Sequence, residues 1–483
     1  MPVPAVAGSA VVYDKQLGKT ASVERHTTLS ADGFQLDLPP GRYRLEAYHG
    51  KQYLPTSTEI TVAEERVTTT LKLMRFADMP TAGWYSGDTH VHRSMLELPN
   101  VILAEDLNVA LPLNYWVRDS REIPMDSGPV LPPEVQHVDA THLIYPINTE
   151  YEIFSIDGKS QTQGAVFVLN HREPLRLKAP PVSEIAQVAR QQGAMLELDK
   201  HSWPWSMMIV PIMNVDLFEL SNNHHWKTQF GFPNFVLESA PDWPEIERNE
   251  RGFTERGWTD FGFQTYYALL NCGFRLRVTA GTASGVHPVP LGHGRVFVHT
   301  GLDFSFENWM KGLNAGHSFV TQGPLLDVRF DGELPGTTWE KADRENRVII
   351  TGVINSAQPL TSVEVIVNGR VQSSILPEQA QTEVGSYRAT VDLSVDLDGS
   401  SWIALRCYER APADKVVFAH TNPVFVDVAQ APLAPDRRAL TYFIQRMDAE
   451  ISRNAGVISA AALGEYQAAR KIYQALLDGR QVP

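Results

Sequence analysis

Cysteine and long apolar runs are scarce in this chain of 483 residues. The two cysteines, Cys272 and Cys407, lie far apart and neither belongs to a CxxC pair, so we expect neither a structural disulfide nor a thiolate metal site. No run of about 18 apolar residues occurs, which argues against a membrane-spanning helix. Residues 1–6 lack the basic and apolar regions of a signal peptide. We therefore expect a cytoplasmic protein, or a periplasmic or secreted one if a signal peptide has been removed.

Positive charge is also in short supply. Lysine and arginine number 42 against 56 aspartates and glutamates, and the formal net charge is −14. This balance disfavours nucleic acid and anionic membranes as partners and leaves a small-molecule substrate as the expectation. The sequence has no GxSxG elbow and no reactive-cysteine signature, so nothing points to a catalytic serine or cysteine.

The most informative motif that is present is DTHVH at residues 88–92. The preceding residues read as a chain that enters a strand from a turn. Because side chains alternate in a strand, Asp88, His90 and His92 are expected on one face. Two imidazoles beside a carboxylate suit a divalent transition metal. An HxH pair alone is weak evidence for a metal site, so the prediction depends on the positions of the other histidines.

Later predicted strands also end at residues that bind metals. Short apolar runs over 143–147, 165–169, 194–198 and 215–220 lead, in that order, into Glu150 and Glu152, His171, His201, and His224. A helix with Ser183 as its N-cap is predicted between the second and third runs. Strands separated by helices predict a largely parallel sheet or barrel, whose functional residues collect at the carboxyl ends of the strands. Any single histidine could be a core or loop residue, but the set predicts a metal centre.

The segment GDTHVHR at residues 87–93 resembles the opening motif of the polymerase-and-histidinol-phosphatase (PHP) superfamily. Other segments resemble the CehA/McbA-type metallohydrolases within that superfamily, and the resemblance covers about residues 80–330. These segments are AEDLNVA at 104–110, DKHSWPW at 199–205, FELSNNH at 218–224, LNCGF at 270–274 and AGHSFVTQGP at 315–324.

The resemblance implies a distorted (β/α)7 barrel with two, sometimes three, metal ions that activate water to hydrolyse aryl carbamates and aryl esters. A metal-bridging hydroxide is then the expected nucleophile, and a mixed N/O ligand set favours zinc, with manganese or iron as alternatives. The ligands implied are the pair His90 and His92, the bridging Glu152 or its face-mate Glu150, and His171, His201 and His224.

One departure from the superfamily concerns the end of the site. The superfamily usually closes its site with Asp-x-His, whereas residues 280–287 read AGTASGVH. This difference puts a third metal and a complete second coordination sphere in doubt. His287 is expected to be a loop histidine rather than a displaced ligand.

Several other residues are candidates for roles around the metals. Arg118 and Arg172 could orient a substrate or stabilise an oxyanion, although each is also readily explained as a surface arginine. Asp88 could bind a metal or fix a ligand histidine from behind. Lys200 raises the alternative of a carbamylated lysine, against the simpler interpretation of a surface charge.

Aromatic residues cluster around the same motifs. Trp116, Trp203 and Trp205, near Phe218 and Trp226, are expected either to pack against the core or to contact an aromatic leaving group. The three tryptophans named first are the predicted substrate contacts.

The chain is interpreted as a multidomain α/β protein with four parts. Residues 1–76 are predicted to form a prealbumin-like β-sandwich, with a hairpin through Pro39-Pro40-Gly41 and a strand over 69–73. Residues 77–325 form the barrel, with a long loop over about 230–263 that could act as a lid. Residues 326–430 form an immunoglobulin-like sandwich with a hairpin at Asn368-Gly369. Residues 431–483 form a helical hairpin that packs on the barrel or on a second subunit of a homo-oligomer.

The leading hypothesis is a metal-dependent hydrolase of carbamate or ester bonds. A phosphoesterase is the alternative within enzymes, and it would need converging arginine or lysine side chains. A non-catalytic binding protein that keeps its metal for structure is the third interpretation.

Overall fold

The computed structural model describes residues 37–225, 243–244, 246–250, 252–287, 289–413 and 415–480, together with the backbone of four short strands within residues 1–36. Trp226 and the first part of the predicted loop over 230–263 lie outside the described residues.

Eight strands precede the DTHVH motif and pair in four separate two-stranded sheets: β1 with β4, β2 with β3, β5 with β7, and β6 with β8. They are β1 (Val3–Pro4), β2 (Ala10–Gln16), β3 (Val23–Leu29), β4 (Phe34–Gln35), β5 (Gly41–Ala47), β6 (Tyr53–Leu54), β7 (Thr56–Val62) and β8 (Met74–Arg75).

Two details of the predicted N-terminal sandwich are wrong. β5 pairs with β7 rather than across Pro39-Pro40-Gly41, where the two prolines lack the N–H groups that a ladder needs. Residues 69–73 are not a strand: their side chains are exposed or half-buried, and none of the described strands pairs with them. A sandwich is therefore not confirmed in this part of the chain.

Within the described residues, the central region contains fourteen strands and five helices. The strands are β9 (Trp84–Val91), β10 (Val109–Pro112), β11 (Tyr115–Asp119), β12 (Gln136–His137), β13 (Leu143–Ile144), β14 (Thr149–Ile156), β15 (Lys159–Leu169), β16 (Met195–Leu198), β17 (Leu217–Ser221), β18 (Arg248–Asn249), β19 (Gly252–Phe253), β20 (Arg277–Ala280), β21 (Arg295–His299) and β22 (Ser318–Thr321). The helices are α1 (Leu98–Ala104), α2 (Ser183–Gln191), α3 (Ser206–Met213), α4 (Glu255–Asn271) and α5 (Phe306–Ala315), with short 3-10 turns at Pro80–Ala82, Pro124–Asp126 and Asn223–His225.

Apart from β18 and β19, which pair with each other, these strands lie in two sheets. One sheet has the order β11-β14-β15-β16-β17-β20, and β9, β10, β12, β13, β21 and β22 belong to the other. β15 runs antiparallel to both of its neighbours, β14 and β16, so the expected succession of parallel βα units fails there. The sheets meet where Ala283 N–H donates to His90 O (2.7 Å) and His92 N–H donates to Ser284 O (2.8 Å). A closed (β/α)7 barrel is not confirmed.

The predicted loop over 230–263 is wrong for its described C-terminal part. β18 and β19 pair as a short hairpin, and α4 begins at Glu255. Thr254 caps this helix, because its Oγ1 accepts the Gly257 N–H at 2.9 Å. The abundance of proline and glycine in this stretch hides the helical spacing of Trp258, Phe261 and the later aromatics that α4 buries.

Ten strands and two helices complete the chain. They are β23 (Leu325–Phe330), β24 (Thr338–Lys341), β25 (Glu345–Ser356), β26 (Leu360–Val367), β27 (Arg370–Ile375), β28 (Gln379–Gln381), β29 (Tyr387–Asp398), β30 (Ser401–Glu409), β31 (Val417–Thr421), β32 (Val424–Val428), α6 (Arg437–Asn454) and α7 (Ala460–Leu477).

The strands after β22 divide between two sheets that share one hydrophobic core. β23, β25, β28 and β29 form a four-stranded sheet, while β31 pairs with β22 and so continues the sheet that contains β9. Leu326 and Ile350 from the first sheet and Val363 and Leu405 from the second lie in the same core. Asn368-Gly369 joins β26 to β27 with positive φ at both residues, which confirms the predicted hairpin. The domain boundary at 325/326 stays a prediction, since the sheet is continuous across it.

The predicted helical hairpin is present as α6 and α7. Its apolar stripes are buried, with Phe443 and Met447 on α6 and Tyr466 and Tyr473 on α7 fully covered. Tyr473 Oη donates to the Met207 carbonyl at 2.8 Å, which joins the hairpin to α3. Within one chain, therefore, the hairpin packs on the central region.

Helices in the described residues do not combine the length and the apolar character that crossing a membrane would require.

We predict that both thiols stay protected until the protein unfolds. Cys272 and Cys407 are free and buried, and burial raises the pKa of Cys272 to about 12 and raises that of Cys407 as well. A chromogenic disulfide reagent should therefore react slowly at neutral pH and should count two thiols per chain in denaturant. Rapid reaction of one thiol in the native protein would contradict this placement.

Candidate metal centre

The histidine pair stands at the carboxyl end of β9, a strand whose eight residues are all buried. His90 is 3% exposed, and its ring centroid lies 5.3 Å from that of His92, edge to face. Burial lowers the pKa of His90 well below its ordinary value and that of His92 to about 4. Both imidazoles are therefore neutral at neutral pH, which is the form that binds a metal.

A first group of ligand atoms joins the pair to a carboxylate. His90, His92 and Glu150 present atoms that all lie within 4.8 Å of one another. His92 Nε2 is 3.1 Å from Glu150 Oε2, yet this oxygen has no hydrogen-bond partner among the described residues. Ligands on a tetrahedral zinc with bonds of about 2.0–2.1 Å lie about 3.3 Å apart. The spacing therefore fits two atoms that face a common ion.

A second group shares His90 with two carboxylates that the sequence interpretation missed. His90 Nδ1 lies 3.1 Å from Glu219 Oε1 and 3.6 Å from Asp199 Oδ1. Asp199 follows β16 and Glu219 stands inside β17, and both are buried. The sequence does carry a signal for them, because an acidic residue in an apolar strand is expected to be buried. Burial of an unpaired carboxylate is costly, so such a residue is expected to have a cationic partner.

Lys200 is buried, and the interpretation of a surface charge is wrong. It is 3% exposed and its Nζ lies 2.5 Å from Asp199 Oδ1. Although burial alone would lower the pKa of Lys200, the carboxylates of Asp199 and Glu219 raise it above its ordinary value. A protonated amine is not nucleophilic, so this ion pair also argues against carbamylation.

Negative charge is concentrated around His90. Burial and the neighbouring Asp199 raise the pKa values of Glu150 and Glu219 well above their ordinary range, and burial and Glu150 do the same for Glu152. Burial would raise the pKa of Asp199 too, but Lys200 and His90 hold it below its usual value. Carboxylates this close repel one another, and a cation between them would relieve the repulsion. The donor set therefore fits a divalent ion.

Two of the three predicted tryptophans adjoin the ligand groups. The Trp116 ring lies 4.7 Å from that of His92, and its Nε1 donates to Glu152 Oε2 at 3.1 Å. Trp203 Nε1 donates to Asp199 Oδ2 at 3.0 Å. Both rings are only partly buried. Trp205 is fully buried in the core beside Gly164, so its contact with substrate stays a prediction that this position does not favour.

The two predicted arginines differ in position. Arg118 is exposed, its guanidinium lies 4.7 Å from the centre of the Trp116 ring, and its charge acts on Glu150. Arg118 therefore stands near the first ligand group. Arg172 is exposed, and its charge partly offsets the rise that burial causes in the pKa of Tyr145. Arg172 does not belong to either ligand group.

The later histidines lie outside both groups. His171 shares hydrogen bonds of 2.9 Å with Thr149 Oγ1 and 2.8 Å with the Glu173 carbonyl, which occupy both of its ring nitrogens. The His201 ring packs on those of Trp258 and Phe261, and burial lowers its pKa to about 3. The role of His171 as a ligand is a prediction that this geometry does not favour. Both ring nitrogens of His201 are buried without a hydrogen-bond partner among the described residues, so its role stays a prediction.

His224 and His287 lie closer to the centre. The His224 ring is 5.0 Å from that of Trp258 and is buried. His287 forms an isolated bridge with Ser284, as expected for a loop histidine. This loop adjoins the site, because Ala283 N–H donates to the His90 carbonyl and His92 N–H donates to the Ser284 carbonyl.

Asp88 acts as an anchor for the segment after β20. Its Oδ1 accepts the backbone N–H groups of His90 (3.0 Å) and Thr282 (3.2 Å), and its Oδ2 accepts the Thr282 hydroxyl (2.5 Å) and the Gly292 N–H (3.0 Å). Gly281 lies so close that a Cβ there would stand 2.2 Å from His90 Cβ. Asp88 thus positions His90 from behind rather than joining either ligand group.

The helical hairpin holds the segment that carries Asp199. Arg446 on α6 is 4% exposed, and its Nη2 donates to the Trp203 carbonyl at 2.7 Å and to the Ser202 carbonyl at 3.4 Å. Its Nη1 donates to Tyr442 Oη at 3.0 Å, which fixes the guanidinium. Since the Trp203 indole binds Asp199, Arg446 positions this carboxylate through one intermediate residue.

Comparison with known proteins adds little to this geometry. No protein-family model matches the chain, and no curated protein matches it. A solved structure of a two-domain protein from Bacteroides vulgatus, described as containing a predicted PHP-like metal-dependent phosphoesterase, is similar at 9% identity with a TM-score of 0.33, covering 70% of this chain and 95% of that chain. Likeness at this TM-score does not establish a shared fold or activity.

We predict that His90→Ala and His92→Ala both remove bound metal, because both imidazoles belong to the first ligand group. The effect of His90→Ala should be at least as large, since His90 also belongs to the second group. Elemental mass spectrometry on protein equilibrated with buffered zinc measures the metal per chain.

Two variants serve as controls for this loss. His137→Ala changes an exposed histidine, and His171→Ala changes one whose ring nitrogens are already engaged. Both should retain the wild-type metal content. Loss of metal in His171→Ala alone would restore that residue as a ligand and contradict the two groups described above.

We predict that Arg446→Met weakens metal binding by about 10–100-fold, the range seen when a residue that orients a ligand is removed. Arg446→Lys should lie between, since one ammonium reaches fewer carbonyl oxygens than the guanidinium. Competition with a chromogenic chelator measures the affinity. Arg470→Met, which breaks the exposed pair between Arg470 and Asp448 within the same hairpin, should leave it unchanged. Equal effects of both arginines would indicate a general loss of stability.

Proposed function

We propose that this protein is a metal-dependent hydrolase. The observation that carries the proposal is the pair of ligand groups that share His90 at the meeting point of the two sheets. Neutral imidazoles and carboxylates are the ligands that zinc and its neighbours in the transition series accept. Zinc is the favoured ion, with manganese or iron as alternatives.

A bound divalent ion lowers the pKa of water toward neutrality and polarises a carbonyl oxygen. The residues of this chain would hold the ion, orient the carboxylates and shield the site from water. His90, His92 and Glu150 would hold the ion. The indole N–H groups of Trp116 and Trp203 hold Glu152 and Asp199 in fixed directions, and Arg118 lies at the exposed side where a substrate oxygen could accept its hydrogen bond.

Carbamate or ester bonds are the substrates that we propose. Four carboxylates surround one ammonium here, so even two divalent ions would leave the group close to neutral. A neutral acyl substrate suits such a site better than a doubly charged phosphate. The partly buried rings of Trp116 and Trp203 would form an apolar wall for an aromatic leaving group.

The charge balance also weighs against the phosphoesterase alternative. Its phosphate would need converging cations, yet Lys200 is already paired with Asp199 and Arg172 lies outside both groups. Of the cations predicted near the site, Arg118 is the one that could still bind a phosphate. A non-catalytic metal-binding protein is the remaining alternative, and it predicts bound metal without turnover.

Turnover of three chromogenic substrates tests the proposal: a 1-naphthyl carbamate, a nitrophenyl ester and a nitrophenyl phosphate. We expect hydrolysis of the carbamate or the ester by the zinc-loaded protein. His90→Ala should lose metal and at least about a hundredfold of this activity together, in line with removal of a group central to catalysis.

The other outcomes separate the alternatives. Phosphate turnover alone would favour the phosphoesterase. Metal without turnover of all three substrates would favour a binding protein. Activity that persists in His90→Ala after the metal is gone would contradict a metal-dependent mechanism. His137→Ala, a substitution of an exposed histidine, is the matched control for activity lost during purification and metal loading.

A further inference from the structure

The ammonium of Lys200 lies within the second ligand group. Its Nζ is 2.5 Å from Asp199 Oδ1, the same oxygen that lies 3.6 Å from His90 Nδ1. Lys200 is 3% exposed and Asp199 is 1% exposed, so this pair is sheltered from water. The charges of Glu219 and Glu152 also act on Lys200. The lysine is thus surrounded by carboxylates on several sides.

An ammonium at this position competes with a metal ion. A zinc ion bound to Asp199 Oδ1 would lie about 2.0–2.2 Å from that oxygen, in the region that Lys200 Nζ already approaches. Two cations at such short range repel each other strongly, and little water is present to screen them. The first group is different, because His92 and Glu150 face each other without an intervening cation among the described residues.

We propose that the Lys200 ammonium takes the place of a second metal ion, so that the centre holds one divalent ion, at His90, His92 and Glu150. This inference rests on the proposed function, which requires at least one bound ion. The single positive charge of Lys200 offsets part of the negative charge of Asp199 and Glu219. Because the lysine is covalently part of the chain, this charge does not exchange with solvent as a metal ion does. Unlike an ion, it offers hydrogen bonds and no open coordination position.

Metal stoichiometry tests the proposal directly. Purified full-length protein is stripped with a chelator, equilibrated with buffered zinc and, in parallel, with manganese, and measured by elemental mass spectrometry. We expect about one ion per chain in the wild type. Two ions per chain in the wild type would overturn this inference while leaving the proposed hydrolase intact. No ion at all would overturn the proposed function itself.

Substitution of Lys200 supplies the second arm. Lys200→Met keeps the length of the side chain and removes the charge, so Asp199 and Glu219 should then capture a second ion. We expect about two ions per chain in this variant, and one again in the double variant Lys200→Met with Asp199→Asn. One ion in both Lys200→Met and the wild type would overturn the proposal, because the group would then reject an ion for a reason other than Lys200.

Controls guard against loss of folding. Lys178→Met changes an exposed lysine and should bind one ion, like the wild type. Thermal unfolding of metal-free and zinc-loaded samples gives an independent readout, since ligands that bind the native state stabilise it. Zinc should raise the melting temperature of Lys200→Met more than that of the wild type. If Lys200→Met does not fold, Lys200→Gln takes its place, with the same expected stoichiometry.

Discussion

Burial of negative charge around His90 is the constraint on which the rest of the site depends. Glu150, Asp199 and Glu219 are withdrawn from water, and Glu152 lies beside them. Desolvation of such groups costs several kcal/mol each unless cations and hydrogen-bond donors compensate. The surrounding structure supplies those donors from distant parts of the chain. A bound metal ion would supply the remaining positive charge. A hydrophobic core alone would not tolerate this arrangement.

The fold meets the constraint by bringing strand ends from both sheets to one place. β9 delivers the histidines, and β14, β16 and β17 deliver or precede the carboxylates. The segment after β20 closes the gap between the sheets, and its hydroxyl groups bind Asp88 and Arg93 instead of a metal. This segment therefore braces His90 from behind.

Local patterns in the sequence predicted what depends on neighbours along the chain. The HxH pair, the Asn-Gly turn and the two amphipathic helices of the C-terminal hairpin follow from spacing alone, and the structure contains them. Glu152 or Glu150 was predicted beside the histidines, and Glu150 lies 3.1 Å from His92, although its role as a ligand stays a prediction. Asp199 and Glu219 were not predicted, because only histidines were expected at the later strand ends.

Other features could not be read locally. Sheet partners and register depend on contacts between distant residues, which is why the N-terminal pairing and the continuity of one sheet past residue 325 were not foreseen. The burial of Lys200 is likewise a tertiary property, since nothing in DKHSW distinguishes a solvated lysine from an enclosed one. Helix α4 was hidden because glycine and proline nearby outweighed its aromatic spacing.

The contact between Arg446 and Trp203 spans 243 residues of sequence. During synthesis on a ribosome, the ligands of β9, β14 and β16 emerge long before α6 exists. A nascent chain therefore has the metal-binding side chains without the guanidinium that orders the segment after Asp199. Because Arg446 is made after these ligands, a partly made chain would hold an ion less firmly than the finished protein.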